Sequence, residues 1–250
     1  MENSSLGKAF SQGLAWFSLL RISSRPIALI QFIIVARFLL PAEFGIMGIA
    51  LLVLSLFDML TTTGYDQAMI HKREDIEDYL DTVWIVSVGR GLLLGFIVYS
   101  IAPIAASLFN EHNITSVLQV LAVIPVVQGF TSPGLIKLEK ELRFEKLAWL
   151  ESIHSVSVAI VGITFAFFLR SVWALVIAYV LGIVIVTFGS FLVSPYRCKL
   201  RFEWVKACEL WSFGRWILGS RLMHYLFNNG DSWVVGSLLG PQALGLYQSA

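Results

Sequence analysis

The chain has 250 residues, 57% of them hydrophobic and only 14% charged, where a soluble domain carries about 25% charged residues. A formal net charge of +1 excludes a polybasic nucleic-acid binder. A mean hydropathy of +0.76 makes lipid, rather than water, the simplest solvent for such a chain.

The N-terminal stretch MENSSLGKAFSQGLAWF has Lys8 as its only basic residue and no A-x-A cleavage pattern. It reads as a short tail, residues 1–10, running into a first span rather than as a secretory signal. Seven apolar stretches are long enough for membrane helices, over about 11–38, 44–64, 82–108, 115–135, 147–169, 172–194 and 210–239. Their continuity disfavours a β-barrel, whose strands alternate. Several exceed one bilayer's need, which predicts tilt or extension into water. Lys137–Ser152, KLEKELRFEKLAWLES, sets Leu138, Leu142 and Leu147 among charges and reads as a helix leaving the membrane or lying on its surface. An ordinary solvated connection fits it equally well. PYRCKLRFEWVKACELW repeats the pattern before the seventh stretch. Cys198 and Cys208, the two cysteines, have no flanking histidine pair and make no zinc site.

With the N-terminus on the cytoplasmic side, the inner segments hold Lys8, Lys72, Arg73, Lys137, Lys140, Arg143, Lys146, Arg197, Lys199, Arg201 and Lys206, against Arg37 and Arg170 outside. Basic residues concentrate on cytoplasmic loops, so this asymmetry sets the orientation. Arg21, Arg25, Arg90, Arg215 and Arg221 remain within the spans. An arginine there is costly unless it faces water or a partner.

IVARFLLPAEFGIMGIA, residues 34–50, and VVGSLLGPQALGLYQSA, residues 234–250, align with an offset of 200. Val35, Leu39, Pro41, Gly45 and Ala50 meet identical residues, and upstream Trp16 meets Trp216 and Arg21 meets Arg221. Six spans separate the copies. An even number restores the starting side, so the repeat is parallel, and the seventh span opens a second bundle.

YLFNNGDSWVVGSLLGPQALGLYQSA resembles the start of the second half of Wzx-type polysaccharide flippases, of the multidrug/oligosaccharidyl-lipid/polysaccharide superfamily. Asn228, Asn229, Asp231, Gly236, Leu239, Gly240, Leu244, Gly245 and Tyr247 carry the likeness. VARFLLPAEFGIMGIA is similar to the first-half counterpart, LEKELRFEKLAWLESI to the connection after the fourth helix, and RSVWALVIAYVLG to the fifth-to-sixth hairpin. The resemblance implies an all-α membrane protein of MATE-like architecture. A six-helix lobe (11–194) and a cytoplasmic linker (195–209) would precede the start of a second, parallel-repeat lobe (210–250), so the chain is expected to be a fragment or a truncated frame. It further implies alternating access in the bacterial cytoplasmic membrane and export of an undecaprenyl-pyrophosphate-linked oligosaccharide for O-antigen, capsule or exopolysaccharide synthesis. The implied partners are that substrate, membrane lipids, and a polysaccharide polymerase or chain-length regulator.

Arg21 and Arg25 are one helical turn apart, and at about 1.5 Å per residue they lie near the midplane, beside the kink expected at Pro26. Two cations there suit a pyrophosphate, which arginine grips bidentately; pairing with carboxylates or snorkelling is the plainer alternative. Asp58 and Arg90 fall at similar depths on consecutive antiparallel helices, which fits a structural ion pair or a role in the cavity. Arg221, the repeat partner of Arg21, is placed to face the cavity from the other lobe, and Arg215 to snorkel. Asp231, with Asn228 and Asn229, fits a coupling-cation site or a partner for an arginine. His224 is expected to be a packed, hydrogen-bonded core residue or a cavity residue rather than a ligand. Glu151 and His154 have the spacing of di-iron bundles, but no further deep carboxylates accompany them. No phosphate-binding Gly-rich loop and no nucleophile–base set is present, so neither an enzyme nor a cofactor is expected. The rival readings are a cation-coupled drug exporter of the same architecture, which would want acidic cavity residues, and a membrane glycosyltransferase or polymerase, which would want a large outer loop.

Overall fold

The computed structural model describes residues 26–61, 69, 76–194 and 196–249, without the side chains of 210–218, 220 and 249. Among these residues every regular element is a helix. It comprises α1 (Pro26–Val35), α2 (Pro41–Thr61), α3 (Glu77–Leu108), α4 (Asn113–Leu121), α5 (Val123–Gly129), α6 (Gly134–Lys140), α7 (Phe144–Leu169), α8 (Trp173–Val193) and α9 (Trp204–Ser249). Among the described residues, α2, α3, α7 and α8 are long and apolar enough to cross a membrane, and the bent α4–α6 segment would be a fifth. The helix α9 is not one of them: it carries Arg221, His224, Asn228, Asn229 and Asp231 within eleven residues.

The expected boundaries change in three places. The fourth span is not one helix over 115–135. It breaks at Ala122, where Pro125 lacks the N–H that would bond Leu121 and crowds that carbonyl. It turns again at Phe130–Pro133, and α6 leaves at 64° to the helices before it. The charged stretch Lys137–Ser152 is likewise interrupted, because Leu142 takes a φ of 58° between α6 and α7. The third span starts at Glu77 instead of residue 82; Glu77 and Asp78 in its first turn favour the positive end of the helix dipole. Its 32 residues reach about 48 Å, well beyond a bilayer core of about 30 Å.

The main core joins Ile49 of α2, Leu94 and Val98 of α3, Leu118 and Leu121 of α4, Val176 of α8 and Leu244 of α9. In contrast, α7 keeps Ile160, Phe167 and Phe168 exposed, an apolar surface suited to lipid. Glu43, at the start of α2, accepts a bond from the Val172 N–H at 2.5 Å and so caps α8 from a neighbouring helix.

The two copies of the repeat meet each other in space. Pro41 opens α2, and Pro241 reopens the helix after a break at Gly240, whose φ of 81° and ψ of 178° suit only glycine. A Cβ on Gly45 would lie 1.7 Å from the Pro241 carbonyl oxygen, and one on Gly245 would lie 1.9 Å from that of Pro41. Gly48 faces the side chain of Gln248. The contact is reciprocal and keeps the 200-residue offset, as expected when two equivalent hairpins cross about a local two-fold axis. Small residues let the backbones approach this closely, which drives helix association in lipid.

At the other end of the bundle, residues 196–203 form an extended strap across the start of α3. Asp81 accepts bonds from the Tyr196 hydroxyl at 2.7 Å and the Lys199 N–H at 2.8 Å, and Thr82 accepts one from the Glu203 N–H at 3.3 Å. Burial, and then the bond to Asp81, raise the Tyr196 hydroxyl above its ordinary pKa. Burial, and then the Asp81 charge, raise that of the Cys198 thiol. Both groups therefore stay neutral near pH 7.

Candidate functional site

Charge enters the bundle where α2, α3, α5 and α9 converge. Arg90 Nη2 donates to Asp58 Oδ1, joining α3 to α2. The side chains keep 28% and 47% of their surfaces accessible, so the pair borders an open space rather than a sealed core. That space is a cavity of about 510 Å³, lined by Asp58, Arg90, Gln128, Glu139, Arg221 and Trp84 among others. It extends towards α6 and the start of α7, which are the basic end of the bundle.

A second cavity of about 330 Å³ adjoins it, with Ser55, Tyr179, Asn229 and Gln248 in its lining. Asp58 and Gln128 border both. The deeper cavity also reaches Gly48, one turn from the Gly45–Pro241 crossing. The two cavities, joined at Asp58 and Gln128, thus extend from the basic end of the bundle to the level of the repeat crossing. Tyr225 fixes α9 to α2: the hydroxyl donates to the Leu52 carbonyl and accepts from Trp233 Nε1, both at 2.8 Å.

Arg90, Arg221 and Asp58 therefore share one cavity lining. Arg21 and Arg25 lie outside the described residues, as does the side chain of Arg215. Among the described residues Asp231 pairs with no arginine, and its Oδ2 accepts from the Tyr247 hydroxyl at 2.5 Å, across the break at Gly240. Asn228 is exposed and its amide donates to the His224 carbonyl of its own helix at 2.7 Å. His224 is exposed and so is not a core residue, since at this point α9 turns Tyr225, not His224, toward α2. His154 lies against Gly182 of α8. No group of three or more potential metal ligands occurs among the described residues.

Sequence reasoning overlooked Gln128, Glu139, Tyr179 and Gln248. The signal for Gln128 was available, because a lone amide in the apolar run VIPVVQGF is costly unless it faces a cavity or a partner.

A family profile described as polysaccharide biosynthesis protein matches residues 34–250. The chain belongs to the polysaccharide biosynthesis protein family. It is 23% identical over 252 residues to the lipopolysaccharide biosynthesis protein WzxC of Escherichia coli, covering 98% of this chain and 50% of the relative. It is 24% identical over 254 residues to the teichuronic acid biosynthesis protein TuaB of Bacillus subtilis, covering 98% and 51%. Identity to the succinoglycan biosynthesis transport protein ExoT of Rhizobium meliloti is 20% over 243 residues, covering 97% and 49%. The chain spans about half the length of the curated relatives it matches. No solved structure matches it. This member of the polysaccharide biosynthesis family is a multi-pass, all-α membrane protein, and the family match contains all of the cavity-lining residues named above.

Proposed function

We propose that the protein belongs to a flippase that moves an undecaprenyl-pyrophosphate-linked oligosaccharide from the inner to the outer leaflet of a bacterial cytoplasmic membrane. Its N-terminus would be cytoplasmic. The observation that carries the reading is the placing of Arg90 and Arg221 on one polar cavity inside an otherwise apolar bundle. Cations held at such depth are costly and suit an anionic cargo. Guanidinium groups match the geometry of phosphate oxygens. The names of the relatives, a succinoglycan transport protein among them, support the cargo class.

The protein carries out no bond chemistry in this reading. The pyrophosphate enters from the basic end, exchanges with Asp58 for the guanidinium of Arg90, and is met by Arg221 from the second repeat. Arg21 and Arg25, which lie outside the described residues, are further candidate ligands by their place in the sequence. Release to the other side requires the Gly45–Pro241 crossing to part while the basic end closes. A polysaccharide polymerase or chain-length regulator would receive the product.

The test is export of surface polysaccharide in a strain that depends on the gene. Arg90→Gln and Arg221→Gln, each in the chromosomal gene, are expected to abolish export while protein level in the membrane stays unchanged. Wild-type export in both variants would refute the proposal.

A further inference from the structure

A third cavity, of about 520 Å³, lies apart from the other two, between the start of α3, the α6–α7 turn and the strap. Its size falls within the range of about 300–1,000 Å³ usual for small-molecule sites. Lys137, Arg143, Arg197 and Lys199 line it with Glu77 and Glu141, an excess of two positive charges (4 − 2). The acidic groups are already engaged: Lys137 pairs with Glu77 and Glu141, and Arg143 Nε lies 3.1 Å from Glu141. The side chains of Arg197 and Lys199 have no carboxylate partner among the described residues; only the Lys199 backbone N–H meets Asp81. The cavity is shaped by close packing as well as by charge. A Cβ on Gly134 would lie 1.9 Å from Ser194 Oγ, at the end of α8, and 2.8 Å from Tyr196 Cβ, so the first turn of α6 sits directly against the start of the strap.

Apolar side chains continue the strap beyond Lys199. Leu200 and Trp204 are 88% and 72% exposed, and Phe202 packs edge-on against Trp204. Aromatic residues beside an apolar span mark the headgroup level of a bilayer. Basic pockets between membrane helices at that level bind the headgroups of acidic lipids.

We propose that this cavity binds the phosphodiester headgroup of an anionic phospholipid, with Arg197 and Lys199 as its principal ligands and Leu200, Phe202 and Trp204 against the acyl chains. Such a lipid would tie the strap, and with it the second repeat, to α6 of the first. The site is separate from the transport cavity, so its failure leaves the proposed function untouched.

Thermal unfolding of the full chain in neutral detergent tests it, with dioctanoyl phosphatidylglycerol, dioctanoyl phosphatidylcholine or inorganic phosphate as the probe. Phosphatidylglycerol at ten times its Kd is expected to raise the Tm saturably by roughly 3–6 °C, while the other two leave it unchanged. The double variant Arg197→Gln/Lys199→Gln should lose that rise and keep the Tm of the lipid-free protein, because the strap is held by the Lys199 backbone rather than by its side chain. Arg37→Gln, at the opposite end of the bundle, should retain it. An equal rise with phosphatidylcholine or with inorganic phosphate, or a full phosphatidylglycerol response in the double variant, would overturn the proposal.

Discussion

Replacing Gly45 by alanine tests the crossing of the two repeats. The added Cβ would sit 1.7 Å from the Pro241 carbonyl oxygen, and ordinary contact begins at 3.4 Å, so the helices must separate by 1.7 Å (3.4 − 1.7). For Gly245→Ala the same subtraction gives 1.5 Å (3.4 − 1.9). The opposing atoms are backbone, and no rotamer change moves them aside. Overpacking of this kind costs about 1–3 kcal/mol. Alanine also raises helix propensity by up to about 1 kcal/mol, which masks part of the loss. Gly89 supplies the control: it is exposed on α3 with no atom within 4 Å of an added Cβ, so Gly89→Ala gains the propensity alone. Unfolding by SDS in mixed micelles, followed by far-UV circular dichroism, should place Gly45→Ala and Gly245→Ala about 1–3 kcal/mol below Gly89→Ala. The double variant should cost less than the sum, since one separation relieves both clashes. A Gly45→Ala protein as stable as Gly89→Ala, or strict additivity of the pair, would refute the reciprocal contact.

Three further outcomes follow from the same geometry. Asp58→Arg or Arg90→Asp alone should lower stability, and the double swap should recover at least about 1 kcal/mol of the summed loss by the same SDS titration; no recovery would show that the pair is not coupled. Tyr225→Phe removes the donor to the Leu52 carbonyl and leaves Trp233 Nε1 without its acceptor, so a loss of about 1–3 kcal/mol and a shift in Trp233 fluorescence are expected. Because burial and Asp81 raise the Tyr196 hydroxyl, its stabilising contribution is complete below about pH 10 and is lost as pH rises further. Wild-type Tm should therefore fall more steeply above pH 10 than that of Tyr196→Phe, and parallel curves would contradict the assignment.

The sequence showed the long apolar helices plainly, because lipid leaves little choice but a continuous run of apolar residues. It also placed Asp58 opposite Arg90, since helix rise converts residue number directly into depth. The repeat was visible for a related reason: Pro41 and Pro241 each open a helix, and proline suits that position. The interruptions were harder to see. Pro125 and the Thr131–Pro133 turn lay in plain view, but hydropathy averages over them. The partner of Asp231 was not legible, because Tyr247 reaches it only through the backbone conformation at Gly240. The core alternative for His224 fails for want of helix phase, because the buried face of α9 at that level belongs to Tyr225. Gln248 and Gln128 contribute to the cavity linings from helices distant in sequence, and no spacing rule joins them.

The most direct test of the proposed transport cavity is the affinity of this chain, in lipid nanodiscs, for a polyprenyl-pyrophosphate-linked saccharide. The wild-type chain is expected to bind it at least tenfold more tightly than the Arg90→Gln/Arg221→Gln double variant, equivalent to a difference of about 1.4 kcal/mol or more. It should also show no comparable preference for the neutral polyprenol. Equal affinity of wild type and double variant would contradict a cavity built to hold an anionic headgroup.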